Sequence, residues 1–367
     1  MIDNNTTKTL NFSMIATETK QIPLPTEKTT KRGFISWGDD NLYSYYLYDL
    51  YTHSSLFQGI VDMMVNYTLG DEIVNNTGMV IVNRQYMNFD EFIYKIVKDR
   101  MIYGGCAFQI IRNKLGGIAE LNALDFKRVR VNEDEDTVYY MKDWKRTRDL
   151  AKTYPRYVPN TKQPVSVFYY KGKDSDGVYP TPMYQGAITS LEIHSQISQY
   201  HLTNILNNFT PSVIVNFNNG GGLSDDVMDE IEQKMYEKFS GTDKAGRIML
   251  SFNDDTEHST TVERLSDDGL DTKYQQLYDT TINDIFTAFK CNPILLGKNN
   301  TNGGFNKQEF SESFTLYQKT VIKPIQREIV DIMEKVFGAG CVEIEQFSID
   351  WGEDVTNPTD NNSETID

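Results

Sequence analysis

The stretch CNPILLGKNNTNGGFNKQEF, residues 291–310, is the first candidate for chemistry. A glycine-rich connection that opens a helix offers free backbone N–H groups and a positive dipole end to an anion. A nucleotide-binding P-loop, however, needs a glycine five residues before the Gly of Gly-Lys and Ser or Thr after the Lys. Around Gly297-Lys298 those places hold Asn292 and Asn299, so the nucleotide cradle is rejected. No GxGxxG follows a strand pattern either, which removes the dinucleotide fingerprint. The alternative is a flexible finger that touches whatever passes it.

The remaining reactive residues are sparse. There are four histidines, His53, His194, His201 and His258. His194 and His201 are seven apart, about 10 Å of helical rise, whereas one helix offers two ligands to one metal at i,i+3 or i,i+4. Neither HExxH nor CxxC occurs. NEDEDTVYYMKD, Asn132 to Asp143, spaces oxygens like the start of a calcium loop, but Thr137 stands where the sharp turn needs Gly. A solvated hairpin tip is the expectation there. No local signature of acyl transfer is present. The motifs therefore predict no cofactor and no metal, and the plentiful Ser, Asp and Glu leave an acyl-transfer or carboxylate-pair site open.

Composition narrows the class further. The chain has 367 residues, 39% hydrophobic and 12% aromatic with 22 tyrosines, enough for a large core. Cys106, Cys291 and Cys341 form no disulfide or zinc pattern and read as core thiols of a reducing compartment. The amino terminus has no basic start and apolar run, so no secretory signal is expected, and no window is apolar enough for a membrane span. Net charge is -16. Proteins that grip nucleic acid show the opposite balance, so an acidic wall past which DNA slides fits better than a tight DNA clamp.

The elements that must position these residues follow from periodicity. Residues 1–35 are polar and read as an arm with little structure of its own. After the turn at SWGDDN, apolar residues recur at helical spacing, with Leu56, Ile60, Met63, Met64 and Tyr67 on one face and Gly70 as the C-cap. FDEFIYKIVKDRMIYGG is a second helix. CAFQIIRN, IAELNAL, RVRVNED, TVYYMKDW and PVSVFYYKG then read as a meander of strands, an α+β arrangement.

GAITSLEIHSQISQYHLTNILNNFTP is a long helix whose apolar set, Ile188, Leu191, Leu202, Ile205 and Phe209, is too thin for a monomer core and suits packing beside further copies. Residues 212–268 form a small module of a strand, a helix capped by Ser224 and a second strand. In it Asp225 and Asp226 suit the first-turn dipole, and Glu230 and Lys234 pair at i,i+4. LDTKYQQLYDTTINDIFTAFK is a second long helix. After the glycine-rich loop a third runs from residue 309 to 337 and contains Pro324, which costs about 3 kcal/mol in a helix interior and is expected to kink it. VEIEQFSID reads as a strand, and the acidic, Asn-rich end as disordered.

This order of parts resembles the portal (head–tail connector) proteins of tailed bacteriophages. SWGDDNLY, GAITSLEIHSQISQYHLTNILNNFTPSVIV, FTAFKCNPILLGKNNTNGGFNKQEF and VIKPIQREI carry the resemblance, over about residues 36–350. It implies a portal-type fold: an α/β wing (36–184), stem helices (185–211 and 269–292), a small α/β clip (212–268), a tunnel loop (293–308), a kinked tunnel helix (309–337), then a C-terminal wing strand and tail (338–367) with the crown vestigial or absent. It further implies a homo-oligomeric ring of twelve at one capsid vertex of the virion, assembled in the host cytoplasm. The ring would conduct double-stranded DNA during packaging and ejection and would not itself be an enzyme. Expected partners are the major capsid protein, the terminase large subunit and head–tail adaptor or tail proteins. The DNA-facing loop would comprise Lys298, Asn299, Asn300, Thr301, Asn302, Gly303, Gly304, Phe305, Asn306 and Lys307. Asp225, Asp226, Glu230, Lys234 and Lys238 would face terminase or adaptor. The rival readings are a non-conducting head–tail adaptor ring and a metal-dependent DNA-processing enzyme.

Overall fold

The SWGDDN turn joins the first strands to the helical layer. The computed structural model describes residues 22–146, 150–173, 175–206, 213–217, 227, 230, 234, 248–252, 261–264, 270–298 and 306–349. β1 (Glu27–Thr29) pairs antiparallel with β2 (Ile35–Trp37), so structure begins inside the stretch expected to be an arm. The reason lies far along the chain: the Glu27 carboxylate accepts from the backbone N–H groups of Val178 and Tyr179, both at 3.0 Å. Residues 1–21 of that arm lie outside the described residues.

The helical stretch after the turn is two helices, α1 (Tyr43–His53) and α2 (Ser55–Leu69). Ser54 adopts an extended conformation between them, and its hydroxyl accepts from the Phe57 N–H at 3.2 Å, capping α2. Gly70, φ 71°, ends α2 as expected; a Cβ there would lie 1.7 Å from the Glu345 carbonyl oxygen. α3 (Phe89–Tyr103) is capped by Asn88, whose side chain accepts from Glu91 N at 2.7 Å, and stops at left-handed Gly104.

The strands do not form one meander. β4 (Cys106–Arg112), β5 (Ile118–Ala123) and β9 (Val165–Tyr170) make an antiparallel sheet of order β5-β4-β9, while β6 (Val129–Val131), β7 (Thr137–Tyr140) and β8 (Lys152–Pro155) make a second. The buried, apolar β4 needs a partner on each edge and takes β5 by hairpin and β9 by a long return. The Asn132–Asp136 turn is the expected hairpin tip, closed by an Asn132-to-Asp136 side-chain bond of 2.7 Å. β3 (Ile73–Asn75) pairs with β13 (Val342–Ile344), which brings the end of the described chain back beside α2. Helices and antiparallel sheets of this part segregate as the α+β reading expects.

Arg130 sits in the centre of β6 and is fully buried. Its guanidinium donates to Asn41 Oδ1 (2.5 Å), to the carbonyls of Asn41 (2.6 Å), Lys127 (3.0 Å) and Val129 (2.7 Å), and to Ser44 Oγ (3.1 Å). Burial depresses its proton affinity, and these acceptors together compensate a charge that has no carboxylate in contact among the described residues. Trp37, stacked on Tyr179 at 4.6 Å, covers it.

Two long helices follow, α4 (Ile188–Leu206) and α5 (Leu270–Ala288). Ser190 donates to Asp284 (3.2 Å) and His194 stacks on Tyr278 (5.5 Å), so rising numbers on one meet falling numbers on the other: the pair is antiparallel. Between them stand β10 (Val213–Phe217), β11 (Ile248–Phe252) and β12 (Thr261–Arg264), order β11-β10-β12, with β10 parallel to β11 and antiparallel to β12. β12 is a third strand where two were expected, and its β-branched Thr261 and Val262 favour the extended backbone that pairs with β10.

The final helical stretch starts at Lys307 rather than residue 309. It runs as α6 (Lys307–Tyr317), a π-turn (Gln318–Ile322) and α7 (Lys323–Phe337). The interruption falls before Pro324, not at it. In the π-turn the Lys323 N–H bonds the Gln318 carbonyl, so Pro324, which has no N–H, enters in the first turn of α7 where none is needed.

Candidate functional site: the base of the glycine-rich loop

Three elements converge on the loop: the end of α5, a short 3-10 turn (Pro293–Leu296) and the start of α6. α5 is anchored by Phe289, fully buried in a triangle with Phe57 and Tyr184, centroids 4.5–5.6 Å apart. Such aromatic pairs each add about 0.5–1.5 kcal/mol beyond their area. Ile294 and Leu295 are buried in the same core, so the expected tunnel-loop segment 293–308 is ordered and apolar at its start. Burial pushes the Cys291 thiol up to about 12, and Cys106 and Cys341 are buried as well, consistent with core thiols.

Asn292 ties the two ends together. Its Oδ1 accepts from Ile294 N (3.1 Å), capping the 3-10 turn, and its Nδ2 donates to Ser313 Oγ (2.9 Å) on the second turn of α6. Tyr317 donates to the Phe289 carbonyl at 3.4 Å, a second link from α6 to the end of α5. On the far side Asn306 caps α6, its Oδ1 accepting from Gln308 and Glu309 N, both at 3.1 Å. Asn306 is thus a structural cap rather than part of a free finger.

Lys298 is exposed just past left-handed Gly297, with its Nζ 5.8 Å from the Phe286 ring centroid. Its charge also reaches His194 on α4. Burial first, and Lys298 second, hold His194 below the usual imidazole range, so the ring is neutral at pH 7. Lys307 opens α6. Asn299, Asn300, Thr301, Asn302, Gly303, Gly304 and Phe305 lie outside the described residues. So do Asp225, Asp226 and Lys238 of the small module, while Glu230 and Lys234 make the expected i,i+4 ion pair at 2.6 Å on an exposed helical face. Among the described residues no three His, Cys, Asp or Glu side chains gather as a metal site.

Sequence reasoning missed the Asn292–Ser313 tie. An Asn before Pro is the signal from which the cap of the 3-10 turn could have been found, but a bond 21 residues away has no local signal.

Beside the loop base lies an open groove of about 660 Å³, lined by Met63, Asn66, Tyr67, Leu69, Leu295 and Phe347 among others. Tyr67 packs edge-on against Phe314 of α6 at 5.2 Å, so α2, α6 and the segment after β13 form one body under the loop. The one hydroxyl–imidazole contact among the described residues here is buried, Ser54 Oγ at 3.4 Å from His194 Nδ1, and that same hydroxyl caps α2. The arrangement fixes the two ends of the connection, Asn292 by its bond to Ser313 and Asn306 by its cap of α6.

The phage portal protein family model matches residues 82–351. Among solved structures, a chain of the virion of a native gene transfer agent particle is similar with a TM-score of 0.54 at 15% identity, covering 83% of each chain. A chain from the neck of that native particle, computed with C12 symmetry, gives 0.51 at 16%, covering 82% of this chain and 83% of the other. An uncharacterized protein of Rickettsia bellii (strain RML369-C) is 26% identical over 171 residues, 46% of this chain and 42% of that protein. The match therefore spans less than half the length of that curated relative.

Proposed function

The chain belongs to the phage portal protein family, and on that premise we propose that it assembles as a closed ring at one vertex of a phage-like particle and forms the passage for double-stranded DNA. The observation that carries this reading is the order of parts within the matched residues: an antiparallel helix pair that brackets a small sheet, then a loop with pinned ends, then a long interrupted helix. In this assignment residues 36–184 with β3 and β13 are the wing, α4 and α5 the stem, 212–268 the clip, and 299–305 the part of the loop that meets DNA. A ring of twelve is the proposed copy number, in line with the twelve-fold symmetry of the similar neck. The chain acts as structure, and the energy for pumping comes from a separate ATPase.

Physical chemistry supports a conduit. α4 buries Ile188, Leu191 and Ile197 but also His194 and Ser195, a mixed stripe suited to neighbours in a ring. A net charge of -16 disfavours sticking along the passage, and a loop of small, uncharged residues follows a moving duplex while holding it weakly. Lys298 adds a screened phosphate contact at the loop's edge. The clip, with Asp225, Asp226, the Glu230–Lys234 pair and Lys238, faces terminase and adaptor proteins, and the wing faces the major capsid protein.

The test is a variant in which Asn300 to Gly304 is replaced by a shorter linker. Rings of unchanged size are expected, with impaired DNA packaging or retention. Normal packaging in intact rings would remove the loop's role.

A further inference from the structure

The face of the interrupted helix that points away from the core carries three cations in succession. Lys319 stands in the π-turn, and Lys323 and Arg327 follow at four-residue steps in α7, about 6 Å of rise between the last two. Lys319 and Arg327 are exposed and Lys323 half-exposed, while Gln318, Val321, Ile322, Ile325 and Ile329 are buried on the opposite side. None of the three side chains makes an ion pair, hydrogen bond or ring contact among the described residues. Other cations nearby are engaged: Arg100 pairs with Glu328 at 2.9 Å, which turns the carboxylate adjacent to Arg327 inward. Asp331, one turn beyond, ends the stripe. On a chain with 52 acidic against 36 basic residues, three consecutive unneutralised cations on one helix face are a local reversal of charge.

We propose that Lys319, Lys323 and Arg327 form a phosphate-contact stripe for double-stranded nucleic acid, separate from the glycine-rich loop. Only its place in the particle rests on the portal reading; the stripe itself stands on the helix face. Duplex is favoured over a single strand because the exposed residues between the cations, Thr320 and Pro324, offer no aromatic ring on which a base could stack. It is favoured over the acidic face of a second copy because lysine is depleted in protein interfaces, whereas evenly spaced point charges match a phosphate backbone. The contacts carry no sequence information.

The experiment measures binding of a fluorescent 30-base-pair duplex to the full chain across a salt series, beside native mass. The variants are K319Q/K323Q/R327Q and a control pair of exposed lysines elsewhere, K142Q/K162Q. Each phosphate neutralised contributes about -0.9 to the slope of log affinity against log salt, so the triple variant should be shallower by about 2.7 for each copy whose stripe meets the duplex. Between 50 and 200 mM salt one such stripe makes the unmodified chain lose about 40-fold more affinity than the triple variant, and further copies make the difference larger. The control keeps the original slope, and the mass stays the same in all three. An unmodified chain that does not bind duplex, or a triple variant with an unchanged slope, overturns the stripe. So does a triple variant that changes mass, because the cations then serve contact between copies. An unmodified chain that is not a ring but shows the stripe-dependent slope refutes the portal reading and leaves the stripe standing.

Discussion

Single side chains decide several properties that the sequence does not announce. The alternation RVRV places Arg130 outward between two core valines, yet it is as buried as they are, because Asn41, Ser44 and three carbonyls surround it. Truncation in Arg130→Ala should cost about 3 kcal/mol or more, read from urea unfolding, since it empties a buried site and orphans its acceptors. Gln318 presents the opposite case: it is fully buried, and neither amide atom has a partner among the described residues. Gln318→Met keeps the volume and removes the unsatisfied groups, so a gain of about 1–3 kcal/mol is expected, and a loss would show that the amide is satisfied in solution. His194 sets a pH dependence. Its folded proton affinity lies below that of the unfolded chain, so the unfolded state takes up the proton first and stability falls as pH drops below about 6.5. Asp99, buried and held well above the usual carboxylate range, acts with the opposite sign, its contribution being lost as pH rises from about 4, so the comparison is the difference between the parent and His194→Gln. That difference should be flat well above pH 7 and change as pH falls below about 6.5.

Elements with strong periodicity were legible, and those set by distant partners were not. The α3 boundaries follow from the cap Asn88 and the stop at Gly104, both local features. Ser54 broke one expected helix into two because its hydroxyl caps the second, a cue that a run of tyrosines and leucines conceals. β1 is held by the backbone of Val178 and Tyr179, 151 and 152 positions from its Glu27, and β13 pairs with β3 near the other end of the chain, so no window of sequence contains both members of either contact. Pro324 was legible as a disturbance, but its effect is displaced into the preceding π-turn, where the hydrogen-bond ladder changes register. Of the loop, the sequence revealed the small residues and missed the clamp at their ends. That clamp yields an element-scale prediction: Phe289→Ala should cost about 3–5 kcal/mol by opening a cavity between α2 and α5, measured by denaturant unfolding. Asn292→Ala should instead leave global stability within about 1–2 kcal/mol while limited proteolysis between residues 298 and 307 accelerates.

At the scale of the whole molecule, the family and the class of fold were readable from the order of parts, because a helix pair around a small sheet followed by loop and long helix is a sequence of lengths rather than a set of motifs. How copies meet is not written in one chain, since a ring interface joins different faces of identical subunits. The account's central claim is that the thin apolar stripes of α4 and α5 and the exposed Leu277 and Leu316 are completed by neighbouring copies around a hole. Native mass spectrometry of the purified full-length chain, with electron-microscope images of the same sample, tests it most directly. The account predicts a single species of about twelve chain masses that images as a closed ring with an axial channel. A chain that remains a monomer at every concentration, or a closed assembly with no channel, would contradict it.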